Sequence, residues 1–356
     1  MDAVDLRGIK VGIFDLSIEA KEPIILPAYK GSTLRGGFGN AFKKIVCVQK
    51  ERDCSSCILK GQCVYSYVFE TPPKPDTKVM RKYESVPHPF IIEPPSEKKR
   101  GYKTGDGLTF GLTLVGKAID FLPYFIYTFE ELGGIGIGKG RGRFELKAVH
   151  ARNGKTSPVS GCKNLKNLIY SSATKKLTPP DPVVIDMDIP SSDGLSDKTL
   201  TLRFLTPTRI SYNGHITSEL EFHILIRNLL RRISLLSYFH CGVDTSAWDF
   251  KGMIERAKGI KTKETQLRWY DWKRYSSRQE TKIGMGGFIG EITFDGDVAP
   301  FFPLIRAGEV LHVGKSTSFG LGRYEIRLQS GYPLRSDRIG DKDSVVILRE
   351  LRGYEE

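Results

Sequence analysis

Two short stretches of this chain concentrate residues that could do chemistry. The first is 312-HVGKSTSFGLGRYEI-326, where Gly314, Lys315 and Ser316 set a cation and a hydroxyl beside glycine, and Gly320, Gly322 and Arg323 follow closely. Glycine lets a backbone approach a bulky anion, and Lys, Arg and Ser side chains bond phosphate oxygens. The stretch lacks the pattern of a nucleotide-hydrolysing loop. That loop needs a glycine where this chain has Glu309, and a helix must follow it, whereas 323-RYEIRL-328 reads as a strand. The pattern therefore predicts a backbone that lies against a polyanion, with no bound nucleotide.

The second stretch is 47-CVQKERDCSSCILKGQC-63, which holds Cys47, Cys54, Cys57 and Cys63. Cys54 and Cys57 have the C-x2-C spacing that lets two thiolates share one metal, and the flanking cysteines could complete a tetrahedral set. Structural zinc fits this spacing best. An iron–sulfur cluster fits less well, because the common ferredoxin spacings are absent, and free or paired thiols are the remaining reading. Cys162 and Cys241 stand alone.

The elements that must position these stretches occur twice. Residues 110-FGLTLVGKAIDFLPYFIYTFEELGGIGIGKGRGRFEL-146 run as strand, apolar helix, glycine loop and strand, and 287–326 repeats that order. Gly142, Arg143 and Phe144 stand where Gly322, Arg323 and Tyr324 stand in the second copy. The first glycine loop alternates Gly134, Gly136, Gly138, Gly140 and Gly142 with Lys139, Arg141 and Arg143, so the same polyanion could run along both. The openings also correspond. Residues 11-VGIFDLSI-18 lead through Pro27 to a helix near 33–46, and 199-TLTLRFLTP-207 leads through Asn213-Gly214 to one near 217–238. In that second helix Leu225, Ile226, Leu229, Ile233 and Leu236 fall on one face, with Arg227, Arg231 and Arg232 largely off it.

Each half thus reads as βαββαβ, the ferredoxin-like order, in the α+β class with antiparallel sheets. The predicted organisation is a first domain over 1–150 with the cysteine segment inserted, a linker over 151–198, a second domain over 199–330 and an unassigned tail over 331–356. The linker prediction rests on a Ser-, Asn-, Lys- and Pro-rich composition with little periodicity.

Composition supports a polyanionic partner. The 356 residues carry 54 Lys and Arg against 41 Asp and Glu, a formal charge of +13. Nothing approaches the 18 or so consecutive apolar residues of a membrane span, and MDAVDLRGIK lacks a signal-peptide pattern, so the expected setting is cytoplasmic. The run 268-RWYDWKRYSSR-278 interleaves Trp269, Tyr270, Trp272 and Tyr275 with Arg268, Lys273, Arg274 and Arg278. Aromatic faces stack unpaired bases and the cations neutralise phosphates, although packing between the domains would use the same aromatics.

The segment 274-RYSSRQETKIGMGGFIGEI-292, followed by the glycine loop at 312–324, resembles the C-terminal signature of the CRISPR repeat-processing endoribonucleases, the sixth Cas family, in the RAMP superfamily. The duplicated halves and 31-GSTLRGGFGNAF-42 are similar to that superfamily's tandem domains and first helix opening. The resemblance covers most of residues 10–326. It implies binding of CRISPR repeat RNA, with other Cas proteins as possible partners, and metal-independent cleavage within the repeat. Such cleavage needs a base for the 2′-OH, an acid for the leaving oxygen and a cation for the phosphorane. A histidine near the first helix often serves in that family. This chain departs from the pattern, since its first histidine is His88. The candidates left are Tyr29 and Lys30 entering that helix, Lys43 near its end and His215 in the matching loop of the second half. A RAMP subunit that binds RNA without chemistry of its own is the alternative.

Overall fold

The computed structural model describes residues 4–49, 54, 56–73, 77, 86–152, 166–179, 183–184, 199–276 and 281–327. The first domain holds β1 (Lys10–Ala20), β2 (Ile24–Ile25), α1 (Gly31–Val46), β3 (Phe90–Glu93), β4 (Gly101–Tyr102), β5 (Gly107–Val115), α2 (Leu122–Ile135) and β6 (Phe144–Arg152). Two further strands, β7 (Lys166–Ser171) and β8 (Val183–Val184), pair with β6 and β1. They extend the first sheet into the region whose composition predicts a linker. Their pairing partners, not their own periodicity, make them strands.

The second domain holds β9 (Thr199–Thr208), β10 (Ile210–Tyr212), β11 (His215–Thr217), α3 (Phe222–Leu236), α4 (Phe250–Ala257), β12 (Lys261–Thr265), β13 (Arg268–Tyr270), β14 (Lys273–Ser276), β15 (Thr281–Gly284), β16 (Gly287–Asp295), α5 (Phe302–Leu311) and β17 (Tyr324–Arg327). The sheets run β3-β5-β1-β6 and β12-β16-β9-β17. Both orders place the last strand beside the first, with the third strand on its other side, so the duplication expected from sequence is a duplication of topology. The pairs named here are antiparallel.

Strand alternation puts the cores where they are. Phe14, Leu16, Ile18 and Ala20 of β1 face the first-domain core, while Val11, on the opposite face, joins the second-domain core together with Val4, Leu6 and Ile9. Helix α1 buries Leu34, Phe38, Ala41 and Phe42 at helical spacing, and Phe38 stacks with Phe125 and Phe129 of α2. On α3 the apolar stripe is buried as expected, but Arg232 is buried with it: its Nε donates to the Leu311 carbonyl at 2.7 Å. Burial brings its guanidinium down to about 9. A helical wheel cannot show that a second helix covers the flank of the stripe.

The domains lock together where the second glycine loop meets the first turn of α1. A Cβ on Gly31 would overlap the Phe319 carbonyl, and Gly320 packs on Pro94 and on the Ile92 carbonyl. The Tyr29 hydroxyl donates to the Phe319 carbonyl at 2.9 Å, and its ring lies 4.8 Å from that of Trp272. The Arg35 guanidinium sits 4.9 Å from the Phe69 ring and 4.8 Å from the Phe319 ring.

A buried charge cluster completes the junction. Glu93 of β3 receives a hydrogen bond from Thr113 at 3.3 Å, with Arg323 at 3.5 Å and His312 Nε2 at 3.8 Å. At 3.8 Å the His312 Nε2 lies beyond hydrogen-bond reach of the carboxylate, and its Nδ1 donates to the Leu321 carbonyl at 3.0 Å. Burial alone would push the Glu93 carboxyl up. His312, Arg323 and Arg152 outweigh burial and hold it well below the usual range.

Two outcomes follow for stability. Gly31→Ala forces a methyl into the Phe319 carbonyl and is expected to cost about 1–3 kcal/mol. Gly36→Ala, in the same helix with open space around it, should instead gain about 0.5–1 kcal/mol; thermal melts of both variants check the pair. Because the folded carboxyl of Glu93 titrates below its unfolded value, its contribution is full above the unfolded value, about pH 4.3, and is lost as pH falls toward the folded one. Glu93→Gln should therefore destabilise at pH 7 by about 1–3 kcal/mol, and the gap to wild type should narrow in denaturation curves recorded below about pH 4.

Candidate nucleic-acid interface

The second glycine loop starts where α5 ends at His312, whose φ of 58° turns the chain out of the helix. Its backbone is already committed. Lys315 N–H donates to the Arg209 carbonyl at 2.9 Å, Gly322 N–H to Pro207 at 3.2 Å and Val313 N–H to Gly322 at 3.0 Å. Phe319 N–H bonds Ser316, Gly320 N–H bonds Thr317, and Arg323 N–H bonds the Thr206 hydroxyl at 2.9 Å. These bonds spend much of the loop's backbone on holding the fold. It also runs directly into β17, and Glu309 is held within the fold, accepting from Ile326 N–H at 2.7 Å and pairing with Arg306.

What the loop offers is side chains. Lys315 is exposed, Gly314 and Ser316 are half-buried, and the Arg323 side chain is 38% exposed while anchored by Glu93. Gly320 and Gly322 are buried, and the close approach they permit is to the first domain and to Val313. Arg209 joins the cationic rim from the other side, with Nη1 donating to the Gly286 carbonyl at 2.8 Å. In the first glycine loop Lys139 and Arg141 are exposed, whereas Arg143 is tied to Glu22 at 2.6 Å.

The aromatic-basic run divides its labour. Trp272 packs on Tyr29 beside Phe319, Leu321 and Met285, so it is part of the domain contact. Trp269 is 46% exposed and Lys273 is exposed, which leaves a base-stacking face and a cation next to the junction. Arg268 is half-buried, and its buried Nε and Nη2 have no hydrogen-bond partner among the described residues. Arg274 lies in β14, and Arg278 falls outside the described residues.

The four acid–base candidates are not brought together. Tyr29 is at the junction, but burial raises its hydroxyl well above the usual value, opposed only in part by Arg323. Lys30 is buried beside it, donates from Nζ to the Glu97 carbonyl at 2.7 Å and is lowered by burial. Lys43 stands thirteen residues further along α1, about 20 Å at 1.5 Å per residue, with Nζ 5.1 Å from the Tyr65 ring. His215 is exposed on the β10–β11 hairpin, paired across from Tyr212.

The cysteine segment follows α1. Cys47, Cys54, Cys57 and Cys63 are all half-buried free thiols. Burial pushes the Cys54 thiol up, with Lys43 opposing. Among the described residues no group of three or more His, Cys, Asp or Glu side chains is placed to hold one metal ion. The tetrahedral thiolate set expected from the spacing is therefore not assembled; spacing fixes which cysteines can reach one another, not how the turn between them folds.

Glu93 and Arg209 were invisible as functional residues in the sequence. Each is a lone charge in a strand or loop, and only the partner strand shows what it holds. Among the described residues, no helix is long and apolar enough to cross a membrane.

Family models match both halves of the chain. Residues 9–182 match a family described as an N-terminal domain, and residues 202–324 match the CRISPR-associated endoribonuclease Cas6 family. An uncharacterized protein of Archaeoglobus fulgidus is 22% identical over 309 residues, covering 85% of this chain and 93% of that one. A Cas6 product complex superposes with a TM-score of 0.52 at 16% identity, covering 89% of this chain and 100% of that chain. A partial Cas6-RT-Cas1–Cas2 complex gives 0.54 at 10% identity over 91% of this chain and 47% of that chain. The β-sheet orders and the superpositions agree on a tandem ferredoxin-like fold, and the second domain, over residues 202–324, matches the CRISPR-associated endoribonuclease Cas6 family.

Proposed function

We propose that the protein binds CRISPR repeat RNA along the domain junction and cleaves it there without a metal ion, the 2′-OH attacking the adjacent phosphate to leave a 2′,3′-cyclic phosphate. The observation that carries this reading is the second glycine loop, in the segment that matches the endoribonuclease family. It holds Lys315 and Arg323 at the seam of two domains, beside exposed Trp269. Cations so placed neutralise strand phosphates in the ground state and the phosphorane in the transition state. Glu93, the carboxylate engaged with Arg323, is buried, so charge stabilisation falls to Lys315 and Arg323.

The second reading is an RNA-binding subunit without chemistry of its own. What favours it is the separation of Lys43 and His215 from Tyr29 and Lys30, with Tyr29 half-buried, Lys30 buried and both hydrogen-bonded.

Incubating the protein with end-labelled repeat RNA in EDTA separates the readings. Cleavage is expected to persist and to leave a cyclic phosphate; tight binding with intact RNA would establish the subunit reading instead. Lys315→Ala should weaken binding and reduce the slope of log affinity against log salt by about 0.7, one single-strand phosphate contact. An unchanged slope would remove Lys315 from the interface.

A further inference from the structure

A cavity lies between the domains away from the second glycine loop, and nothing in the cleavage reading uses it. It encloses about 440 Å³ between the start of β1, the turn from β5 to α2, and the end of α3. Its walls include Lys10 and Lys117, the apolar Ile119 and Leu177, and Cys241 from the second domain.

The junction around it is built to close tolerances. Gly116, with φ of 55°, brings the first domain so near that a Cβ there would overlap the His240 carbonyl. His240 is buried, with Nε2 donating to the Pro87 carbonyl at 2.9 Å and Nδ1 accepting from the Tyr67 hydroxyl at 3.0 Å. Burial brings its imidazole down to about 4, so this wall stays neutral and fixed at physiological pH. Lys10 and Lys117 are exposed, and among the described residues neither has an ion-pair partner. Lys117 Nζ instead rests 5.9 Å from the Tyr67 ring and 6.0 Å from Phe121. Asp120 is the one acid in the lining. Exposed Tyr124 follows on α2, edge-on to Phe121.

We propose that this cavity binds a nucleoside phosphate unit, its phosphate between Lys10 and Lys117 and its base and ribose against Ile119, Leu122, Leu177 and Pro179. The volume falls in the range of small-ligand sites, and two unpaired ammonium groups over an apolar wall match an anion joined to a flat ring. The unit is either one residue of an RNA strand or a free nucleotide. The strand source rests on the RNA-binding reading. The cavity begins at Gly116, five residues along the chain from Gly111, which pairs with Glu93, a separation of about 17 Å at 3.3 Å per residue. A polymer would bridge that separation, whereas a free nucleotide would fill the cavity alone.

Cys241 reports occupancy directly, because it is half-buried in the wall; burial pushes its thiol up, so the alkylation is run at alkaline pH, where enough thiolate is present. The full-length protein is alkylated with iodoacetamide and each cysteine is followed by peptide mass spectrometry, alone, with a single-stranded oligoribonucleotide and with AMP. Several-fold protection of Cys241, with Cys54 and Cys57 unaffected, is expected from at least one ligand, and the Lys10→Ala/Lys117→Ala variant should lose it. Protection by the oligonucleotide alone identifies a strand site, and protection by AMP identifies a free-nucleotide site. No protection by either ligand, or full protection in a variant with an unchanged melting temperature, overturns the proposal. Failure of RNA cleavage leaves this test untouched, since the AMP arm and the alkylation readout need no turnover.

Discussion

The whole arrangement depends on how closely the second glycine loop can approach the first turn of α1. Contact between the Phe319 carbonyl and the Gly31 backbone leaves no room for a side chain, and the Tyr29 hydroxyl closes the same carbonyl from the side. Every other feature of the junction presupposes that spacing. Phe319 reaches the Arg35 guanidinium, Trp272 reaches the Tyr29 ring, and His312 and Arg323 come within charge range of Glu93. A carboxylate buried beside Arg323, Arg152 and His312 is costly to form and stabilising once formed, so the junction favours one relative setting of the domains.

This constraint changes what the glycines are for. Closely spaced glycines serve a loop that wraps phosphate and a loop that must squeeze between two domains, and the sequence pattern is the same for both. Here most of the loop's N–H groups bond its own chain, and Gly320 and Gly322 are buried. The glycines place the cations, and Lys315 and Arg323 face outward because the segment beneath them is wedged in place. The first glycine loop packs against its own β2 strand, and there the outward cations are Lys139 and Arg141.

Much of this was legible beforehand because it follows from period and repetition. The apolar stripe of α3, the repeated order of strand, helix, glycine loop and strand, and the match between 142–144 and 322–324 identified a fold used twice. What escaped was tertiary. The hairpins β10–β11 and β14–β15 and the added strands β7 and β8 are too short to carry a period. Arg232 reads as a surface arginine until α5 covers it, and Glu93 reads as a lone acid until Arg323 arrives from residues far along the chain. The cysteine spacing predicted a metal site that the described side chains do not assemble. The acid–base candidates were chosen by residue type near one helix, but position along that helix separates Lys43 from Tyr29 by several turns.

The central claim is that the seam between the domains, through Lys315 and Arg323, holds the RNA backbone where it is cut. A structure of the protein with a repeat RNA carrying a 2′-deoxy nucleotide at the cleavage position tests this most directly, because the substitution removes the nucleophile and keeps the phosphate. The account predicts the phosphate at that position within hydrogen-bonding distance of Lys315 or Arg323, with a neighbouring base against Trp269. RNA bound away from the seam, with both cations facing solvent, would contradict it.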